Sequence, residues 1–177
     1  MRGQTTLDFA LGVSVFLLII LFVFTFVPGI LTPFTQTAQE ETVTANRVAD
    51  LISKDIAAEP DQPYILDGDC TADLLNNTPG AGCGFDGATL TARLDLTDVQ
   101  SVNITMRGSP GKGGQQLLCW NRTVQQVVNA SGCAVGNPDE TILRAGGETP
   151  DSTNSVVTAR RVVTVENRIV AMEVRVW

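Results

Sequence analysis

No side chain between Phe9 and Gln39 carries a charge, and the run FALGVSVFLLIILFVFTFV that begins this interval is apolar almost without a break. Read as a helix, residues 7–27 rise about 31 Å at 1.5 Å per residue, close to the thickness of a bilayer's hydrocarbon core. The chain therefore divides into an apolar rod and a remainder which, beyond Gln39, has the composition of a soluble protein. In 177 residues that remainder has room for one ordinary domain and little room for a second core. Pro28 and Gly29 mark an end or a kink of the first helix, because proline lacks an amide donor and glycine is conformationally permissive.

A secretory signal peptide has a basic n-region, an apolar stretch of about 7–15 residues and a small-residue cleavage site on its far side. Here the apolar stretch is longer, only Met1, Arg2 and Gly3 precede the polar lead-in, and no A-x-A-like site follows Val27. The informative residues lie ahead of the rod, in RGQTTLD. This segment resembles the class III signal peptide of archaeal type IV pilins, which a prepilin-type peptidase cuts on the cytoplasmic side, just before the hydrophobic helix. Arg2 and Gly3 match the end of the leader, Gln4 the first mature residue, Thr6 a position where serine is common, and Asp8 the acidic position. The resemblance covers roughly the first 35 residues. It implies a cut between Gly3 and Gln4, and pairing of Asp8 with the new α-amino group of a neighbouring subunit. A carboxylate forced to the bilayer centre costs about 2.5–3.5 kcal/mol, which is why Asp8 needs such a partner.

Residues 33–58 continue with apolar or small side chains at Ala38, Thr42, Ala45, Val48 or Ala49, Leu51 or Ile52, and Ile56, which is helical spacing. Glu40 and Glu41 at the start and Lys54 near the end suit the helix dipole, and Pro60 with Pro63 stops the run. Beyond Asp61 the period changes. Residues 88–96 (ATLTARLDL) and 99–107 (VQSVNITMR) alternate as strands, with a hairpin turn at Thr97 and Asp98; residues 116–128 read as one or two strands after the turn SPGKGG. SPGKGG lacks the spacing and following helix of a phosphate loop. Residues 155–177 read as a long hairpin turning near Glu166 to Arg168, with Met172, Val174 and Val176 on one face and Glu173 and Arg175 on the other. The expected fold is α+β: a long N-terminal hydrophobic helix, then an amphipathic helix packed on a small antiparallel sheet, as in pilins. The expected divisions are a leader at 1–3, a membrane or filament-core helix at 4–33, a stalk helix at 34–60 and an extracellular head at 61–177.

Four cysteines, Cys70, Cys83, Cys119 and Cys133, contain no C-x-x-C pair, and a zinc site would need all four to converge because the chain has no histidine. Of the three possible connectivities, local bridges Cys70–Cys83 and Cys119–Cys133 are preferred; each closes a loop worth about 3 kcal/mol and needs an oxidising compartment. Four N-x-[ST] triplets, at Asn76, Asn103, Asn121 and Asn129, are candidate N-glycosylation sites on an exported domain. Asp67, Asp69 and Asp73 read as a solvated acidic loop rather than a metal or catalytic site.

Net charge is −7 and only Lys54 and Lys112 are lysine, so no basic stripe is available to neutralise nucleic-acid phosphates. This acidic, lysine-poor, threonine-rich composition is similar to that of proteins from extreme halophiles. Lack of histidine removes the commonest general base and metal ligand, so neither catalysis nor a cofactor is expected. The resemblance implies a pilin or minor pilin made as a membrane precursor with its head outside. Its implied partners are a prepilin-type peptidase, a pilus assembly ATPase with its membrane platform, and other pilins in a filament. The alternative is a single-pass, membrane-anchored extracellular binding protein that does not assemble.

Overall fold

The computed structural model describes residues 4–31, 37–96, 101–109, 114–134, 136–148 and 156–177. The chain forms two compact units, Met1–Gln39 and Glu40–Trp177. The first holds helix α1 (Gln4–Leu31), which carries through Pro28 and Gly29 instead of stopping there. The second, the head, begins within helix α2 (Thr37–Leu51), whose last turn widens into a π-turn at Ile52–Ile56. Here Ser53 Oγ takes the Ala49 carbonyl at 2.8 Å, a side-chain bond that competes with the helical ladder. The helix was expected over residues 33–58; residues 33–36 lie outside the described set, and the chain leaves helix two residues early, at Ala57.

Short strands β1 (Ala58–Glu59) and β2 (Gln62–Leu66) follow, then helices α3 (Gly68–Leu75) and α4 (Leu90–Arg93). The remaining strands are β3 (Val102–Gly108), β4 (Gln116–Asn121), β5 (Gln126–Asn129), β6 (Glu140–Ile142), β7 (Arg144–Gly146), β8 (Val157–Val165) and β9 (Arg168–Val176). They form one sheet in the order β1-β2-β8-β9-β3-β4-β5, with β6 beside β4 and β7 beside β3. All pairs are antiparallel except β2–β8, which joins Ile65 to Thr164 and Leu66 to Val165. The fold is α+β, with a larger and more mixed sheet than the sequence suggests.

The final hairpin turns at Glu166 and Asn167, both left-handed (φ 43° and 64°), the backbone of a tight two-residue connection. Val163 faces Val170 and Ala159 faces Val174 across it. Met172, Val174 and Val176 are fully buried, together with Ile104, Met106 and Leu118 of the neighbouring strands. Ala45, Val48, Ala49 and Ile52 of the second helix enter the same cluster, which confirms that an amphipathic helix covers the sheet.

Residues 88–96 are not a strand. Thr89 caps a single helical turn by accepting from the Ala92 amide at 3.2 Å, and Leu90, Arg93 and Leu94 are all buried. Leu90, Ala92 and Leu94 alternate as a strand would, but Leu90, Arg93 and Leu94 also share one helical face, and tertiary packing selects that option. Arg93 then donates to the carbonyls of Gly87 and Asp73 at 2.9 and 2.8 Å, and its guanidinium stacks 5.0 Å from the Phe85 ring centroid. The hairpin expected at Thr97 and Asp98, and the SPGKGG turn from Pro110 to Gly113, lie outside the described residues.

The second helix is tied to the sheet by Arg161, whose Nε donates to Asp50 Oδ1 at 2.8 Å and whose Nη2 donates to Asn46 Oδ1 at 3.0 Å. These bonds from Arg161, and a second from Lys54, hold the Asp50 carboxyl below its ordinary value of 3.8. A lowered carboxylate pKa stabilises the fold above 3.8, and that contribution is lost as pH falls through the folded value. Because Asp50 is 40% exposed, the pair is worth only about 0.2–1 kcal/mol. Arg161→Gln is expected to lower the melting temperature by a few degrees at neutral pH and by less near pH 2, measured by circular dichroism. Gly146 has φ +90° and sits where an added Cβ would lie 1.9 Å from the Val102 carbonyl oxygen. Gly146→Ala should cost at least about 1–3 kcal/mol through backbone strain alone. The control Gly132→Ala, whose Cβ meets nothing, should stay within about 0.5 kcal/mol on the same unfolding curve.

Candidate functional site

The 19 residues Asp8–Phe26 of the first helix have a mean hydropathy of 2.8, and all their side chains are exposed within the chain. Phe9 and Phe24 are 75% and 76% accessible. A helix apolar on every side is stable only when something surrounds it, and the side chains of Asp8–Phe26 are exposed among the described residues. Fourteen of residues 9–26 are Leu, Ile, Val or Phe, each favouring bilayer insertion by about 0.3–0.6 kcal/mol near a helix centre. Their sum exceeds the cost of an Asp8 carboxylate held at the bilayer edge. Polar side chains within the run are satisfied locally: Ser14 donates to the Ala10 carbonyl and Thr25 to the Leu21 carbonyl, each at 2.7 Å. Such a rod offers no unpaired hydroxyl to hydrocarbon.

Asp8 is the only charged residue in this span, one turn in from the start of the helix, and it is exposed. Gln4 opens the helical backbone, while Arg2 and Gly3 lie outside the described residues.

In the head, both local disulfides form. Cys70–Cys83 ties the third helix to the loop after it and Cys119–Cys133 ties the fourth strand to a 3-10 turn at Ala130–Gly132, with Cα separations of 5.5 and 6.5 Å. Asp67, Asp69 and Asp73 are not a solvated loop but parts of the third helix. Asp67 caps it by accepting from the Cys70 amide at 2.7 Å, and Asp69 accepts from the buried Trp120 Nε1 at 2.8 Å. Asp73, only 12% exposed, accepts from Thr78 Oγ1 at 2.6 Å and pairs with Arg122. These carboxylates fasten the helix to the fourth strand. The close approach is possible because Gly68 has no Cβ, which would fall 2.4 Å from the Trp120 ring.

The four sequons part company. Asn76 ends the third helix and is exposed. Asn129 caps the 3-10 turn through its side-chain oxygen, leaving its nitrogen outward-capable. Asn121 spends its amide nitrogen on Glu140 Oε1 at 2.8 Å. Asn103 is 2% exposed and its amide nitrogen donates to the Gly147 carbonyl at 2.8 Å, so a glycan there would have to replace that bond and displace the residues packed around it. Of the four sequon asparagines, Asn103 is the most deeply buried.

A feature that charge counting missed lies on the sheet face opposite the core. Strand register sets Arg160, Glu173, Thr105 and Arg144 in one row, with Arg175 beside Asn103 and Arg107 beside Leu117 in the flanking rows. Glu173 binds Arg160 at 3.0 Å and Arg175 at 2.7 Å. The three arginines Arg107, Arg144 and Arg175, with Asn103, Thr105 and Leu117, line a 230 Å³ hollow. The alternation of VNITMRG and RIVAMEVRV carries half of this signal, but the pairing of strands far apart in sequence carries the rest.

Together these features define a class: an α+β protein with a single N-terminal apolar helix of membrane-spanning length and a disulfide-bonded head. The chain belongs to the family described as "Family of unknown function (DUF7287)", whose model matches residues 1–177. No curated protein and no solved structure matches it. Peptide mapping of natively expressed protein should find no glycan at Asn103, with any occupancy falling first on Asn76; a sugar-bearing Asn103 peptide would overturn that assignment.

Proposed function

We propose that this protein is a type IV pilin-like structural subunit, major or minor, of an archaeal surface filament serving adhesion or surface assembly. One observation carries the reading: a helix exposed and apolar on all sides whose only charge, Asp8, stands four residues after Gln4, the residue that directly follows the Arg2–Gly3 dipeptide. In a bilayer the rod is a membrane anchor; extracted, it needs the same helix of neighbouring subunits around it. On this reading a prepilin-type peptidase cuts after Gly3 while the head faces the oxidising exterior, where its disulfides form. The new α-amino group then neutralises Asp8 of a neighbour, so the pair sets register and apolar packing supplies cohesion. An assembly ATPase and its membrane platform supply the extraction step, and the subunit itself does no catalysis. The acidic, lysine-poor surface suits a haloarchaeal setting.

A second reading, a single-pass extracellular binding protein that never polymerises, draws its support from the arginine-lined hollow of the head. Two variants separate the readings. In native membranes the mature chain should begin at Gln4, and Gly3→Phe should keep its first three residues, as read by N-terminal mass spectrometry. Asp8→Asn should be cut normally yet fail to enter filaments seen by electron microscopy. A wild-type chain that retains Arg2 and Gly3, or filaments unaffected by Asp8→Asn, favours the anchored binding protein.

A further inference from the structure

We infer that the arginine-lined hollow on the outer face of the sheet is a binding site for an oxyanion, a carboxylate or sulfate group carried by an acidic polysaccharide or present as a free ion. The chain has 19 acidic and 12 basic residues, so carboxylates are in excess and any arginine could find one. Among the described arginines of the head, Arg47, Arg122, Arg160, Arg161 and Arg175 do so. Arg107 and Arg144 have no hydrogen bond or ion pair among the described residues, and both line this one hollow. Arg144 lies opposite Thr105 on the neighbouring strand and Arg107 two residues along Thr105's own strand, with no carboxylate in the lining.

Two unpaired guanidiniums that line one small hollow repel each other, and an anion held there offsets that cost. Their planar forks match a carboxylate or sulfate with two parallel bonds each. Beneath them Thr105 and Asn103 are 3% and 2% exposed and already bonded, Thr105 Oγ1 to Asn103 Oδ1 at 3.0 Å and Asn103 to Gly147, which fixes the floor. Glu173, opposite Thr105 on the ninth strand, is occupied by Arg160 and Arg175. It orients Arg175 without cancelling Arg107 or Arg144. At 230 Å³ the hollow is smaller than the roughly 300 Å³ of an ordinary small-molecule pocket, so it suits one anionic group rather than a whole oligosaccharide. The chain's net charge of −7 does not abolish the attraction, because exposed carboxylates farther than about 8 Å are largely screened at physiological salt. This site stands whether or not the chain enters a filament.

The test uses the full chain in detergent micelles with ¹⁵N-labelled arginine, titrated with sodium sulfate or sodium glucuronate against sodium chloride at equal ionic strength. Saturable shifts confined to the side-chain signals of Arg107, Arg144 and Arg175 are expected. Arg107→Gln and Arg144→Gln should each weaken binding about tenfold, with melting temperature unchanged. Arg168→Gln, at the hairpin tip, should have no effect. An alginate oligosaccharide binding at least about tenfold tighter than glucuronate marks a polysaccharide site; equal affinity marks a site for free ions. Shifts that never saturate, that chloride reproduces, or that Arg168→Gln abolishes as fully as Arg144→Gln does, overturn the proposal.

Discussion

Water rejects the first helix on every side, and none of its span Asp8–Phe26 is buried among the described residues. Fourteen large apolar side chains along 18 residues are poorly solvated in water, as fits a membrane anchor or a signal peptide. The head obeys the opposite rule. Its second helix has one buried stripe, Ala45, Val48, Ala49 and Ile52, and exposed charge elsewhere, as a helix on the flank of a soluble sheet should. One chain is thus built for two solvents, with the change near Gln39.

The parts legible in the sequence are those where local pattern and tertiary environment agree. The terminal hairpin is the clearest case: a strict period of two, and a turn where the structure has it. Membrane-length apolarity, the amphipathic helix and the local cysteine pairs are equally direct, because each depends on short-range spacing. Residues 88–96 misled because LTARL satisfies both periods over so short a stretch, and only the partners of Arg93, the carbonyls of Gly87 and Asp73, decide between them. The acidic triplet misled for a related reason. Asp67, Asp69 and Asp73 look like a loop in composition, but Asp67 caps a helix and the anchors of Asp69 and Asp73, Trp120 and Arg122, lie some fifty residues away.

The outer-face arginines were invisible for a third reason. Arg107, Arg144 and Arg175 come from three separate segments, and nothing local marks them as neighbours; only the register of the third strand with the seventh and ninth brings them together. Asn103 shows the same limit in reverse. Its triplet has the right letters for modification, yet its position in a central strand turns its amide onto Gly147.

The lone parallel contact between Leu66 and Val165 has a temporal side. Both cysteine bridges close within short segments, with separations of 13 and 14, and need no distant part of the chain to form. The second strand, by contrast, waits for a partner encoded almost at the C-terminus. During synthesis its edge stands open, guarded by Pro63, which cannot donate to an intruding strand, and by its neighbour Glu59. The nascent head is therefore most vulnerable to mispairing just before its last hairpin arrives.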